Sequence, residues 1–176
     1  MDTSGIDLNA VGTAIRGMTG WLPSTVSVPS ASDMADPNFV LPGTFLRLGL
    51  RTTDGAPDFS ESPATLLEMY EAGYMINPGT GTAQVTQIFA QFDDTLRRAV
   101  RGSAPVNGVL DVDIDATPTG TLFLEDIYRM ADGTFSILRR CAPALISSVK
   151  SGKPTRGAIP GTTVVWDIER SEALGN

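Results

Sequence analysis

The chain has 176 residues, 41% of them hydrophobic, and carries 13 lysines and arginines against 20 aspartates and glutamates. That length and apolar fraction suit one globular domain with its own core, and the net charge of −7 argues against a surface that coats nucleic acid. There is no histidine and only one cysteine, Cys141, which removes Ser-His-Asp and Cys-His catalysis, histidine-ligated zinc and any intrachain disulfide.

The N-terminus opens acidic at Asp2, with no basic segment leading into an apolar run, so no signal peptide is expected. No apolar stretch approaches the length needed to cross a bilayer, and a lone cysteine suits a reducing cytoplasm. Within residues 1–42, Leu8, Val11, Ile15 and Met18 would align on a helix, but Gly5, Gly12, Gly17 and Gly20 interrupt it. The following stretch, WLPSTVSVPSASDMADPNFVLPG, holds four prolines among many serines and favours extended backbone. Residues 1–43 are therefore expected to form an extended arm, either a surface tail or a segment that orders on a neighbouring subunit through Trp21, Phe39 and Val40.

Residues 44–176 read as the β-domain. Phe45–Arg51 alternates, with Phe45, Arg47, Gly49 and Arg51 on one face and Leu46, Leu48 and Leu50 on the other, and Asp54-Gly55 ends the strand. The next stretch, Ala64 to Gly102, reads as strand (Thr65–Ala72), turn (Asn77-Pro78-Gly79), strand (Ala83–Phe92) and helix. The helix has its ends written in: Asp93 to cap, Asp94 at the positive end of the dipole, Arg97, Arg98 and Arg101 near the negative end, Gly102 for the exit. Its face of Leu96, Ala99 and Val100 suits docking on a sheet. Val109–Ala116 follows as a strand, then Thr121–Met130 and Thr134–Ala142 joined across Asp132-Gly133, the strongest local hairpin signal. Leu145–Val149 continues the sheet. Thr162–Arg170 closes it, with Val164, Trp166 and Ile168 opposite Val165, Asp167 and Glu169. The sum is a mainly β fold, an antiparallel β-sandwich or half-barrel with one short flanking helix.

Three features bear on function. In VLDVDID, Asp111, Asp113 and Asp115 share one strand face. A calcium loop is excluded, because its turn glycine would fall on Ala116 and its bidentate glutamate on Leu122. The row is either a solvated face, a carboxylate site or the lining of a passage through which an anion slides without adhering. The basic loop Lys150–Arg156 is no phosphate loop, since Pro154 follows Gly152-Lys153 and Ser147 occupies the upstream glycine position. It is either a solvated loop or a complement to an acidic patch on another copy. The hairpin around Asp132-Gly133 mixes Glu125, Asp126, Arg129, Arg139 and Arg140 among apolar residues, as an ordinary hairpin or as strands that pair across subunits.

The ordered series FLRLGLRTTDGAP, LLEMYEAGYMIN and TQIFAQFDDTLRRAVRG, within Phe45–Gly102, resembles the major tail proteins, or tail tube proteins, of long-tailed, non-contractile bacteriophages. The resemblance implies a virion structural protein without enzymatic activity, cofactor or metal. Subunits would form rings, expected to be hexameric, that share an inner β-barrel and stack into a tube around a tape-measure protein. Tail-tip and terminator proteins would cap the tube, and DNA would later pass through the lumen without specific binding. Assembly would take place in the host cytoplasm, with no membrane involved. By position and charge, Asp111, Asp113 and Asp115 are the candidates for an acidic lumen, and Trp21, Phe39, Lys150, Lys153 and Arg156 for contacts between rings. On that reading, removing Met1–Leu41 is expected to leave a folded domain that no longer polymerises. Another tail ring protein, such as a distal-tail or terminator protein, and a monomeric β-sandwich binding or decoration module are the alternatives.

Overall fold

A computed structural model describes residues 12–23, 29–52, 54–62, 67–68, 75–76, 82–90, 93–102, 106–107, 118–153, 156–157 and 160–168. In chain order the elements are β1 (Gly12–Leu22), α1 (Ala31–Ala35), β2 (Leu46–Leu48), β3 (Asp58–Ser62), β4 (Leu67–Glu68), β5 (Met75–Ile76), β6 (Thr82–Phe89), α2 (Asp94–Arg101), β7 (Thr119–Met130), β8 (Phe135–Ser151) and β9 (Thr162–Ile168). Seven strands form one antiparallel sheet in the order β2-β1-β7-β8-β9-β6-β3, and β4 pairs with β5 in a separate ribbon. The mainly β, antiparallel architecture expected from the sequence is therefore present, together with a second helix.

Local chemistry sets the two most regular features. The Asp93 carboxylate accepts the Leu96 amide at 2.8 Å, Gly102 closes α2 with φ of 71°, and Leu96, Ala99 and Val100 are the buried residues of the helix. A cap of this kind contributes about 1 kcal/mol. At the β7–β8 turn, Gly133 N donates to Met130 O (2.9 Å) and Met130 N to Thr134 O (2.9 Å), while Gly133 takes φ of 85°. This three-residue connection with a left-handed glycine matches the right-handed twist of long strands. The Thr134 hydroxyl (2.6 Å) and amide (2.8 Å) both donate to the Asp132 carboxylate and hold its pKa below the usual value.

The sheet curls until its margins meet. Residues 46–48 pair with β1, but a few residues on the same segment reaches β6: Thr52 N donates to Ile88 O (2.9 Å) and Ala90 N to Leu50 O (2.8 Å), with a bridge between Arg51 and Phe89. The half-barrel is thus closed by one strand segment that serves both margins. The change of partner breaks the expected alternation of Phe45–Arg51. Leu48 is buried, Leu50 is exposed, and Arg51 turns inward. The interior holds Trp21, Val85, Phe89, Leu122, Leu124, Ile146, Val164 and Trp166, and the buried face of α2 joins the same cluster. Each large aliphatic or phenyl group so buried contributes about 1.5–3 kcal/mol before the entropy of ordering is counted. A second, smaller cluster of Leu22, Leu41, Phe45 and Phe123 lies under residues 34–45.

Several expectations are corrected. Residues 12–22, expected in an extended arm, are a sheet strand whose Trp21 is fully buried. Within the Pro/Ser-rich stretch, Ser30 and Asp33 form a reciprocal capping box that starts α1. Of the expected strand Thr65–Ala72, Leu67–Glu68 is described and pairs with β5 outside the main sheet, while β6 pairs with β3 and β9. The two strands expected at 134–142 and 145–149 are one, β8, despite Pro143. Among the described residues Pro143 pairs with Thr121 on β7, and the ladder to β9 begins at Ala144, so the missing amide hydrogen falls outside that described ladder. Strand β9 alternates as read, with Val164 and Trp166 buried. The strand expected at 109–116 and the turn at 77–79 lie outside the described residues.

The corrected role of residues 12–22 reverses the expected outcome of truncation. A protein lacking residues 1–41 loses β1 and Trp21, and its thermal melt should lack the cooperative transition of the full chain; a cooperative transition at similar temperature would contradict this.

Candidate assembly interface

Strands β7 and β8 run past the barrel. Residues 12–17 of β1 are exposed throughout, as are residues 135–138 of β8, while 19–22 of β1 and 121–124 of β7 are buried. The outer ends of β1, β7 and β8 therefore form a three-stranded arm. Among the described residues both of its edges lack a strand partner: β1 meets β2 only at Thr19–Trp21, and β8 meets β9 only from Ala144 onward. The arm carries exposed apolar side chains, with Phe135 65%, Ile15 50% and Ile137 44% accessible. Open edges bearing apolar residues are surfaces that pair with another chain.

A buried polar network locks the root of the arm. The Arg51 guanidinium donates to Asp126 Oδ1 (2.8 Å), Thr19 Oγ1 (2.9 and 3.2 Å) and Met18 O (2.9 Å), and Arg140 lies 3.7 Å from the other Asp126 oxygen. Thr19 in turn donates to Gln87 on β6 at 3.1 Å, across the interior. Arg51 and Asp126 side chains are only 12% and 8% accessible. Gly17 makes room for them, since a Cβ there would lie 2.1 Å from Arg51 Nη1 and 2.7 Å from Asp126 Oδ1. On the other face, Arg139 donates to Glu125 (2.8 Å) and to the carbonyls of Met34 and Asp36 (both 2.7 Å), and lies over the Phe39 ring. It ties the α1 segment to the arm.

The charges expected to govern pairing between subunits are thus partly spent within one chain. Glu125 faces Arg139 in the β7–β8 register and they pair; Asp126 takes Arg51 and Arg140. Of the candidate ring-to-ring residues, Trp21 is withdrawn because it is wholly inside the core. Phe39 is half-buried, its ring 5.8 Å from that of Phe123 beneath Arg139. Lys150, Lys153 and Arg156 are exposed around the β8–β9 connection, at the opposite end of β8 from the arm. Asp111, Asp113 and Asp115 lie outside the described residues. The open β1 edge and α1 went unread in the sequence, although Ser30-x-x-Asp33 is a recognisable cap signature.

Two further observations bear on chemistry. Burial pushes the Cys141 thiol up to about 11, so it is protonated and a poor nucleophile near neutral pH. No group of three or more His, Cys, Asp or Glu side chains is placed to hold a metal among the described residues. No protein-family model matches the chain, and no curated protein matches it significantly.

Replacing Asp126 by Asn keeps the shape but leaves Arg51 buried without its counter-charge, and should cost roughly 3–5 kcal/mol in urea unfolding. A loss below about 1 kcal/mol, the value typical of an exposed ion pair, would show that the network does not lock the arm.

Proposed function

We propose that the protein is a structural subunit of a phage tail tube, which assembles into stacked rings around a tape-measure protein and encloses a passage for DNA. The observation that carries this reading is the three-stranded arm, whose two edges lack a strand partner among the described residues and carry exposed apolar residues. Such an arm is costly for a monomer, because it invites indiscriminate association, and becomes useful when copies close into a ring that leaves no edge. The resemblance of Phe45–Gly102 to tail tube proteins supplies the biological context. A net charge of −7 suits a wall past which a polyanion moves without adhering. In this reading partners are other copies, the tape-measure protein and the tail-tip and terminator proteins, and no catalytic residue or cofactor is required.

Negative-stain electron microscopy with sedimentation across a concentration series tests it. Hollow tubes or stackable rings are expected. A monomer at every concentration would contradict the proposal and favour a monomeric β-sandwich binding module.

A further inference from the structure

The two open edges of the arm are not alike. The β1 edge presents Ile15, with Arg16 beside it and Arg47 on neighbouring β2, both exposed. The register with β7 slips between Ala14 and Arg16, so Ile15 is the extra residue of a bulge. The β8 edge lies beside α1, whose first turn holds the exposed Asp33, its carboxylate accepting from the Ser30 hydroxyl, and whose C-cap is the exposed Asp36. Between α1 and β8 runs a groove of about 530 Å³, walled by Met34, Ala35, Phe135, Ile137 and Leu138 and by Arg139, whose charge is matched by Glu125. One edge thus offers an apolar knob flanked by arginines, and the other an apolar groove flanked by aspartates.

That asymmetry selects the mode of contact. Joining β1 to β1, or β8 to β8, would set like charges together, which is repulsive. Joining β1 of one copy to β8 of the next sets opposite charges together and leaves each copy with one face used and one free. A contact of that kind propagates head to tail, into a ring or a helical array. Both β1 and β8 run antiparallel to β7, hence parallel to each other, so a cyclic array brings the two edges together in the same sense. The bulge at Ile15 interrupts any long backbone ladder, which restrains unselective strand addition and turns one side chain out as an anchor.

We propose that the β1 edge of one copy docks in the groove between α1 and β8 of the next copy, with Ile15 seated among Met34, Phe135 and Ile137 and Arg16 over Asp33 and Asp36. The inference rests on the tube reading and names the contact that joins neighbours within a ring.

Two single variants of the full chain test it by sedimentation velocity. Ile15→Asp spoils the knob and keeps the groove; Ile137→Asp spoils the groove and keeps the knob. Each alone should sediment as a monomer, and an equimolar mixture should form a dimer that grows no further, because only one productive contact remains. Near-UV circular dichroism checks the fold of each, and Ile15→Ser with Ile137→Ser replaces any variant that unfolds. Arg16→Glu should weaken assembly at least tenfold, and combining it with Asp36→Arg, which leaves the Ser30–Asp33 cap of α1 intact, should restore it. If either single variant assembles like the unsubstituted protein, or if the mixture stays monomeric or grows beyond dimers, the contact is overturned and the tube reading stands. An unsubstituted protein that never assembles overturns both. Filaments without a lumen that obey the mixing pattern keep the contact and overturn the tube.

Discussion

Arg51 holds the curled sheet closed through its backbone and the root of the arm through its side chain. Its backbone joins the β2 segment to β6 and so closes the curled sheet, while its side chain reaches Asp126, Thr19 and Met18 and so fixes β1 and β7 where they leave the barrel. A guanidinium suits this place because its planar fork satisfies several acceptors at once and cannot be neutralised by deprotonation. Burying the charge is costly, and the paired carboxylate with its added hydrogen bonds offsets that cost. The apolar interior alone would pack a barrel. The polar lock sets where the barrel stops and the arm starts.

Beyond that lock residues 12–17 of β1 and 135–138 of β8 are exposed, while Ile127 on β7 between them is buried. An aqueous arm of this kind must be rigid enough to present a defined edge, and the molecule supplies rigidity on each side: the Arg51–Asp126 network on one face, and Arg139 with Glu125 and the α1 carbonyls on the other. The Asp132-Gly133 turn holds the far end in register. The same α1 segment that steadies the arm also forms one wall of the groove beside β8, so the support and the proposed docking surface are one element.

What could be read from the sequence was what is local. Helix α2 carries its cap, its charge bias, its apolar face and its exit glycine within ten residues, and all are where expected. The β7–β8 turn and the alternation of Val164 and Trp166 are equally short-range. Strand β1 was obscured because Gly17 reads as a helix breaker, whereas its actual reason is close approach by Arg51, more than thirty residues away. The burial of Arg51 itself has no local signature, since an alternating strand predicts a face and not which pairing will turn that face inward. The expected strands Thr134–Ala142 and Leu145–Val149 leave a gap around Pro143 through which β8 runs, and among the described residues Pro143 has a partner on β7 and none on β9. For the interface, the hairpin was legible and its open edges were not, because an edge is defined by which strands fail to meet it.

If the β1 and β8 edges meet between copies as proposed, disulfide trapping captures that contact. Within one chain Arg16, Ile127 and Ile137 lie in register across β1, β7 and β8, so Ile15 and Ile137 are about two strand spacings apart, roughly 10 Å. That is beyond the Cα separation of about 7 Å that a disulfide spans, which leaves only a bond between copies. With Cys141→Ser as background, a chain carrying both Ile15→Cys and Ile137→Cys should give a ladder of covalent multimers on non-reducing electrophoresis after mild oxidation. A single monomer band from protein that has assembled would contradict the account.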